Sequence, residues 1–212
     1  VDYITIAVAK GRIANITIKK LEENGLIFSD FKNSRKLIFE DDNSKIKIIL
    51  VKADDVPIYV EYGAADIGIV GKDTLLETDC DVYEIFDLGY GKCRFAIASL
   101  KDFEYKKGKK LRVATKYPNV AKDYFNKKKE PVEILKLNGS VELAPIVGIS
   151  DVIVDIVETG TTLKENGLVI LEEICPVSAR LISNKASYKS KSDRIYEIVD
   201  CFRRHMNEND IC

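Results

Sequence analysis

Two carboxylates, three threonines and a glycine stand among the eight residues from Asp155 to Thr162. Before them runs a β-branched segment, Val152 to Val157, interrupted only by Asp155, a composition suited to a buried strand. After them Leu163-Lys164-Glu165-Asn166 reads as a short helix closed by Gly167. A strand, a polar turn and a helix in that order leave backbone N–H groups unpaired at the positive end of the helix dipole. Gly160 lets the backbone approach a ligand, and the hydroxyls of Thr159, Thr161 and Thr162 add donors. Such a turn suits a phosphate dianion. Asp155 and Glu158 would repel phosphate, but they fit a ligand that also carries vicinal hydroxyls, as a ribose does. The plainer alternative is a strand–helix turn in which Thr159 or Thr161 serves only as an N-cap.

Other groups with chemical potential lie elsewhere in the chain. Lys10-Gly11-Arg12 leaves the carboxyl end of the first expected strand, where α/β sheets hold ligands. Arginine offers a fork for phosphate oxygens and lysine a point charge, so the triplet suits a pyrophosphate, or else is a surface turn. Asp66 and Gly68 open a short apolar strand, where Asp66 can accept from an adenine amino group or a ribose, or cap a turn after Gly63-Ala64-Ala65. Glu142 ends Gly139-Ser140-Val141-Glu142, a helix start whose N–H groups can meet phosphate while Glu142 meets a ribose or a metal-bound water. A reciprocal helix cap is the alternative there. Arg94 and Lys116, near strand ends, read equally as ligand contacts or as surface charges.

These groups need positioning elements. Strands are expected at Tyr3–Ala9, Leu37–Glu40, Lys45–Val51, Asp66–Val70, Cys93–Ser99, Leu111–Thr115, Val132–Leu137, Val152–Val157, Leu168–Ile174 and Val177–Ser183, the last two joined or kinked at Pro176. Helices are expected at Asn15–Asn24, from Lys52 to about Tyr62, after Gly71-Lys72-Asp73, and from Tyr117-Pro118-Asn119 to the lysine run. Another starts after Leu137, capped by Asn138 or Ser140. A last one starts at Ser190 or Ser192, with Ile195, Ile198, Val199 and Phe202 on one face. Strands alternating with helices give an α/β class.

Composition narrows the function. The 212 residues are 46% hydrophobic and 32% charged with a net charge of −1, the profile of a globular protein without a nucleic-acid footprint. Lys106-Lys107-Gly108-Lys109-Lys110 and Lys127-Lys128-Lys129 read as solvated ends. The five cysteines, Cys80, Cys93, Cys175, Cys201 and Cys212, form no C-x-x-C pair, which argues against a disulfide scaffold or zinc site and for a reducing, cytoplasmic setting. His205, the one histidine, reads as a surface helix residue. No apolar run reaches membrane-spanning length, and the first residues enter a strand without a signal-peptide pattern.

Asp151 to Leu168 resembles, without a gap, the phosphoribosyl-diphosphate (PRPP) loop of the ATP phosphoribosyltransferase family, the first enzymes of histidine biosynthesis. The resemblance extends to Ala9–Arg12, Ala65–Gly71, Leu88–Arg94, Ala114–Asn119 and Leu137–Pro145 in the same order. It implies a two-lobed, periplasmic-binding-protein-like (type II) fold with a ligand cleft between the lobes. On that basis residues 1–88 plus 178–212 are expected as domain I and 89–177 as domain II carrying the loop. It implies transfer of the PRPP ribose to N1 of the ATP adenine with release of pyrophosphate, assisted by Mg²⁺. The catalytic set is then Lys10, Arg12, Asp155 and Glu158. PRPP falls to Asp155, Glu158, Thr159, Gly160, Thr161 and Thr162, and ATP to Asp66, Gly68 and Glu142. Mg²⁺ ligands are not assigned. The chain stops at Cys212, short of the regulatory domain of long family members, so a homodimer joined to a separate subunit resembling histidyl-tRNA synthetase is expected. Rival readings are a two-lobed binding module and a phosphoribosyltransferase with another nucleophile.

Overall fold

Alternation of β-branched residues along the strands builds two sheets, one in each of two compact units. The computed structural model describes residues 3–28, 31, 34–105 and 109–209, with side chains as far as Arg204. Lys106-Lys107-Gly108, Cys212 and the His205 side chain therefore lie outside the described residues. The first unit comprises Val1–Gly91 and Ser178–Cys212, the second Lys92–Val177.

The sheet of the first unit runs, in spatial order, β2 (Ile38–Asp41), β3 (Ile46–Val51), β1 (Ile4–Ala9), β4 (Ile67–Gly71), β11 (Ala179–Ser183) and β5 (Tyr83–Asp87). β1 lies parallel to β3 and β4, so Lys10, Lys52 and Lys72 all leave at one carboxyl edge. Both faces are covered. Ile4, Ile6 and Val8 of β1 pack with α1 (Arg12–Glu23) and α8 (Ser192–Asn209), through Ile18, Leu21, Ile195 and Phe202. Ala7 and Ala9 face the other way, toward Val56 and Val60 of α2 (Val56–Glu61). α3 (Lys72–Glu77) and α7 (Lys185–Ser190) complete the unit.

The second sheet runs β10 (Leu168–Val177), β6 (Cys93–Leu100), β9 (Val152–Val157), β7 (Leu111–Thr115) and β8 (Val132–Lys136). β7 lies parallel to both β8 and β9, and β6 antiparallel to β9 and β10. On one face Val152 and Val154 pack with Val120, Ala121 and Phe125 of α4 (Pro118–Lys128). On the other, Ile153 and Val157 pack with Ala144 of α5 (Leu143–Ile146) and Leu163 of α6 (Thr161–Glu165). No described helix is long and apolar enough to cross a membrane.

Several local expectations change. The first helix starts at Arg12 rather than Asn15, because Gly11 at φ 95° turns the chain straight out of β1. Pro176 does not break the tenth strand: β10 is the sheet edge, where a missing N–H costs no ladder bond, and pairing continues to Val177 opposite Cys93. β5 and α7 were not expected. β5 is a half-covered edge strand with weak alternation, and α7 begins at Asn184, whose side chain accepts from the N–H groups of Ala186 and Ser187. Neither Asn138 nor Ser140 caps α5. Ser140 adopts φ 49° and gives its carbonyl to the Leu143 N–H at 3.2 Å, and Glu142 is the capping residue without a side-chain bond. Gly89-Tyr90-Gly91 stays with the first unit, where the Ala179 N–H donates to the Tyr90 carbonyl at 2.9 Å.

At the amino ends of β7 and β9 Arg112 clamps Asp151, with Nη2 at 2.7 Å from Oδ1 and both Nε and the backbone N–H on Oδ2. The hydrogen bond from the Arg112 side chain holds the Asp151 carboxyl below its ordinary range. A depressed folded-state value contributes stability that is present above the unfolded carboxyl pKa, about 4, and is lost as pH falls through the folded value. Arg112→Met should therefore move the acid unfolding midpoint to higher pH and leave stability at pH 7 to 9 parallel to the parent. Acid titrations followed by circular dichroism check it.

Candidate active-site residues

The carboxyl edge of the second sheet gathers the exits of its parallel strands. Lys116 follows β7, residues 137–142 follow β8, and Glu158–Thr162 follow β9. β6 runs antiparallel, so its first residues, Cys93 and Arg94, start at the same edge. Asp155 shares its strand face with Ile153 and Val157 and pairs with Ala96 of β6. It is half-buried, and its Oδ1 accepts the Ile156 N–H at 2.8 Å. A carboxylate on an otherwise apolar strand face is costly to desolvate.

The turn itself is open. Glu158, Thr159, Thr161 and Thr162 are exposed, and Gly160 is half-buried. Gly160 holds φ 80° as the residue preceding α6, a conformation that favours glycine. Gly160 itself has no side chain with which to cap α6. The Thr159 and Thr161 hydroxyls meet each other at 2.9 Å, and Thr159 Oγ1 accepts the Thr161 N–H, the first of α6, at 3.4 Å. Glu158 also lines a groove of about 470 Å³ with Lys92, Cys93, Arg94, Glu173 and Pro176. Arg94 donates from Nη1 to the Glu158 carbonyl at 3.1 Å and sets Nε 2.6 Å from Glu173 Oε1. Sequence reading reached Arg94 but not Glu173, which belongs to no motif and arrives through strand pairing. Thr115 was also missed: its hydroxyl donates to the Val154 carbonyl at 2.6 Å and accepts the Tyr117 N–H at 2.8 Å, tying β7 to β9 beneath this edge. Glu142 is half-buried just before α5.

In the first unit Lys10, Gly11 and Arg12 are exposed at the carboxyl edge, directly ahead of the twelve-residue α1. Lys10 and Gly11 border a groove of about 600 Å³ with Asn15, Lys19, Phe31 and Ser34. Asp66 and Gly68 lie elsewhere. Asp66 precedes β4, level with Thr5, at the amino edge and about 16 Å along the strands from Lys10. Its Oδ2 accepts the Thr5 N–H at 2.9 Å, its Oδ1 accepts the Ser187 hydroxyl at 2.7 Å, and Lys191 Nζ lies 2.9 Å from Oδ1. Gly68 serves packing: a Cβ there would stand 2.7 Å from Val60 Cγ2 and 2.9 Å from Val56 Cγ1. The structure does not place Asp66 at the carboxyl edge with Lys10, and both residues help to tie helices onto the sheet.

Among the described residues Cys80, Cys93, Cys175 and Cys201 form no disulfide, and no cluster of three or more metal-binding side chains occurs.

Comparison with known proteins adds independent findings. A family model described as ATP phosphoribosyltransferase matches residues 52–204. An ATP phosphoribosyltransferase of Clostridioides difficile is 61% identical over 202 residues, covering 95% of this chain and 97% of that one. One from Bacillus cereus is 50% identical over 204 residues, covering 96% and 97%. A chain of the ATP phosphoribosyl transferase HisG:HisZ complex from Thermotoga maritima superposes with a TM-score of 0.84 at 36% identity, over 97% of this chain and 99% of that one. A Candida albicans protein described as having the generic periplasmic binding protein fold superposes at 0.65 with 10% identity, over 99% and 72%, a likeness of fold alone.

Proposed function

The chain belongs to the ATP phosphoribosyltransferase family, and from that premise we propose which of its own groups carry the reaction. It joins N1 of the ATP adenine to C1 of the PRPP ribose and releases pyrophosphate, the first step of histidine biosynthesis. The fold is the periplasmic-binding-protein type.

The open Glu158–Thr162 turn, with its exposed threonines and Gly160 at φ 80°, carries the assignment. Its N–H groups and hydroxyls grip the 5′-phosphate of PRPP, and Asp155 and Glu158 hold the ribose hydroxyls. Asp155 also favours the positive charge that grows at C1 as the C1–O bond to diphosphate lengthens. Lys10 and Arg12, at the exposed start of α1, neutralise the departing diphosphate or the ATP phosphates. Glu142 is assigned to ATP, and Asp66 and Gly68 are left out. Adenine N1 has its own lone pair at neutral pH, so no strong general base is needed.

The family's reaction takes a metal ion, and here we assign Mg²⁺. Mg²⁺ is held by one or two carboxylates plus substrate phosphates rather than by an all-protein cage. The donor set fits that habit: Asp155 and Glu158 offer hard oxygens. When bound, the ion supplies charge neutralisation at the diphosphate.

The Thermotoga maritima complex supports a second proposal, that catalytic homodimers of this chain bind a separate regulatory subunit resembling histidyl-tRNA synthetase. We place the enzyme in the cytoplasm, in keeping with its scattered cysteines outside any described disulfide. The test mixes the chain with ATP, PRPP and Mg²⁺ and follows pyrophosphate. Slow release of pyrophosphate is expected, abolished by chelator, faster with the regulatory subunit and insensitive to histidine without it. A binding module would release none, and a transferase for another nucleophile would ignore ATP. Strong histidine inhibition of the lone chain would remove the regulatory proposal.

A further inference from the structure

We propose that Arg94, anchored by Glu173, is a positioning residue that sets the backbone of the phosphate-gripping turn; the inference rests on that turn being the PRPP site. Arg94 pairs with Val157 of β9 on one side and with Pro176 of β10 on the other. It is therefore placed to tie the turn that follows β9 to the neighbouring edge strand. Its Nη1 takes the Glu158 carbonyl at 3.1 Å while its Nε faces Glu173 at 2.6 Å. A planar guanidinium spans two such partners at once; a lysine ammonium on a flexible stem does not hold the same geometry.

The bond to the Glu158 carbonyl matters because of the peptide plane. In a trans peptide the C=O and the following N–H point in opposite directions. Holding the Glu158 oxygen toward Arg94 keeps that acceptor away from an incoming phosphate and turns the Thr159 N–H to the other side. Glu173 has no evident task of its own at an anion site, where its charge opposes the ligand. β10 nevertheless shifts register between Glu173 and Cys175, the kind of bulge that re-aims a side chain. The carboxylate it re-aims is the one that meets Arg94.

Glu173→Gln is the deciding variant, with Arg94→Lys beside it and Thr161→Val as control. Positioning predicts that Glu173→Gln raises the KM for PRPP about two- to fivefold, the usual worth of a partly exposed ion pair, with the KM for ATP and the melting temperature unchanged. Arg94→Lys should do the same. A purely electrostatic role predicts the reverse sign for Glu173→Gln, because a negative charge near an anionic substrate has been removed. An equal or lower PRPP KM in Glu173→Gln overturns the proposal, as does a uniform loss in every kinetic parameter with a lower melting temperature. Thr161→Val separates the two levels. If it weakens PRPP and Glu173→Gln does not, positioning alone fails. If Thr161→Val leaves PRPP binding untouched, the turn is not the PRPP site and both readings go.

Discussion

Asp155→Asn should lower turnover about a hundredfold or more while the protein stays folded. The substitution keeps the shape, and its Oδ1 can still accept the Ile156 N–H that Asp155 accepts at 2.8 Å. It removes a negative charge from a half-buried position, where screening by water is weaker than at the surface. As diphosphate departs, C1 and the ring oxygen of the ribose gain positive character, and a fixed carboxylate stabilises that charge more than it stabilises the neutral ground state. The loss should therefore appear in kcat and kcat/KM together, with little change in the ATP KM. Loss of one preorganised electrostatic group typically costs about 10²- to 10³-fold. Steady-state kinetics with melting curves decide it: unchanged kcat and unchanged PRPP KM in folded Asp155→Asn would remove Asp155 from the site.

The strand, turn and helix at the carboxyl edge of the second sheet were readable because their signals are local. A β-branched run with one carboxylate, followed at once by a glycine between threonines, encodes strand, left-handed turn and helix within a dozen residues, and Gly160 at φ 80° occupies the left-handed position such a turn requires. Residues 111–115 and 118–128 were legible for the same reason, as an apolar run and a proline-led helix. What escaped depends on partners distant in sequence. Glu173 acquires its role from Arg94, 79 positions earlier, through strand pairing and a bulge that no short window displays. β5 is an edge strand whose weak pattern reflects half-covered faces. Asp66 is ambiguous for the complementary reason. A carboxylate beside an apolar strand looks alike whether it leads into the strand at the amino edge or sits near its carboxyl end, and only topology tells the two apart.

That contrast makes Asp66→Ala the second strong expectation, on stability rather than catalysis. Asp66 is 8% exposed and joins three parts of the first unit: the Thr5 N–H at the start of β1, the Ser187 hydroxyl in α7, and Lys191 just ahead of α8. The Asp66 carbonyl also receives the Asn184 N–H at 2.9 Å, so the backbone link to the turn before α7 survives truncation while the side-chain links do not. Alanine leaves the Thr5 amide without its carboxylate acceptor and the Lys191 ammonium without its counter-charge. Breaking a largely buried ion pair from one side costs about 3–5 kcal/mol; with Lys191 30% exposed, the lower end applies, about 3 kcal/mol. For a protein of this size that is about 6–12 °C in melting temperature. The ATP KM of the folded fraction should hardly move, because the carboxylate faces helices and not a ligand edge. Had Asp66 served ATP, the conservative Asp66→Asn would raise the ATP KM with little change in melting temperature, and that pattern would return it to the active site.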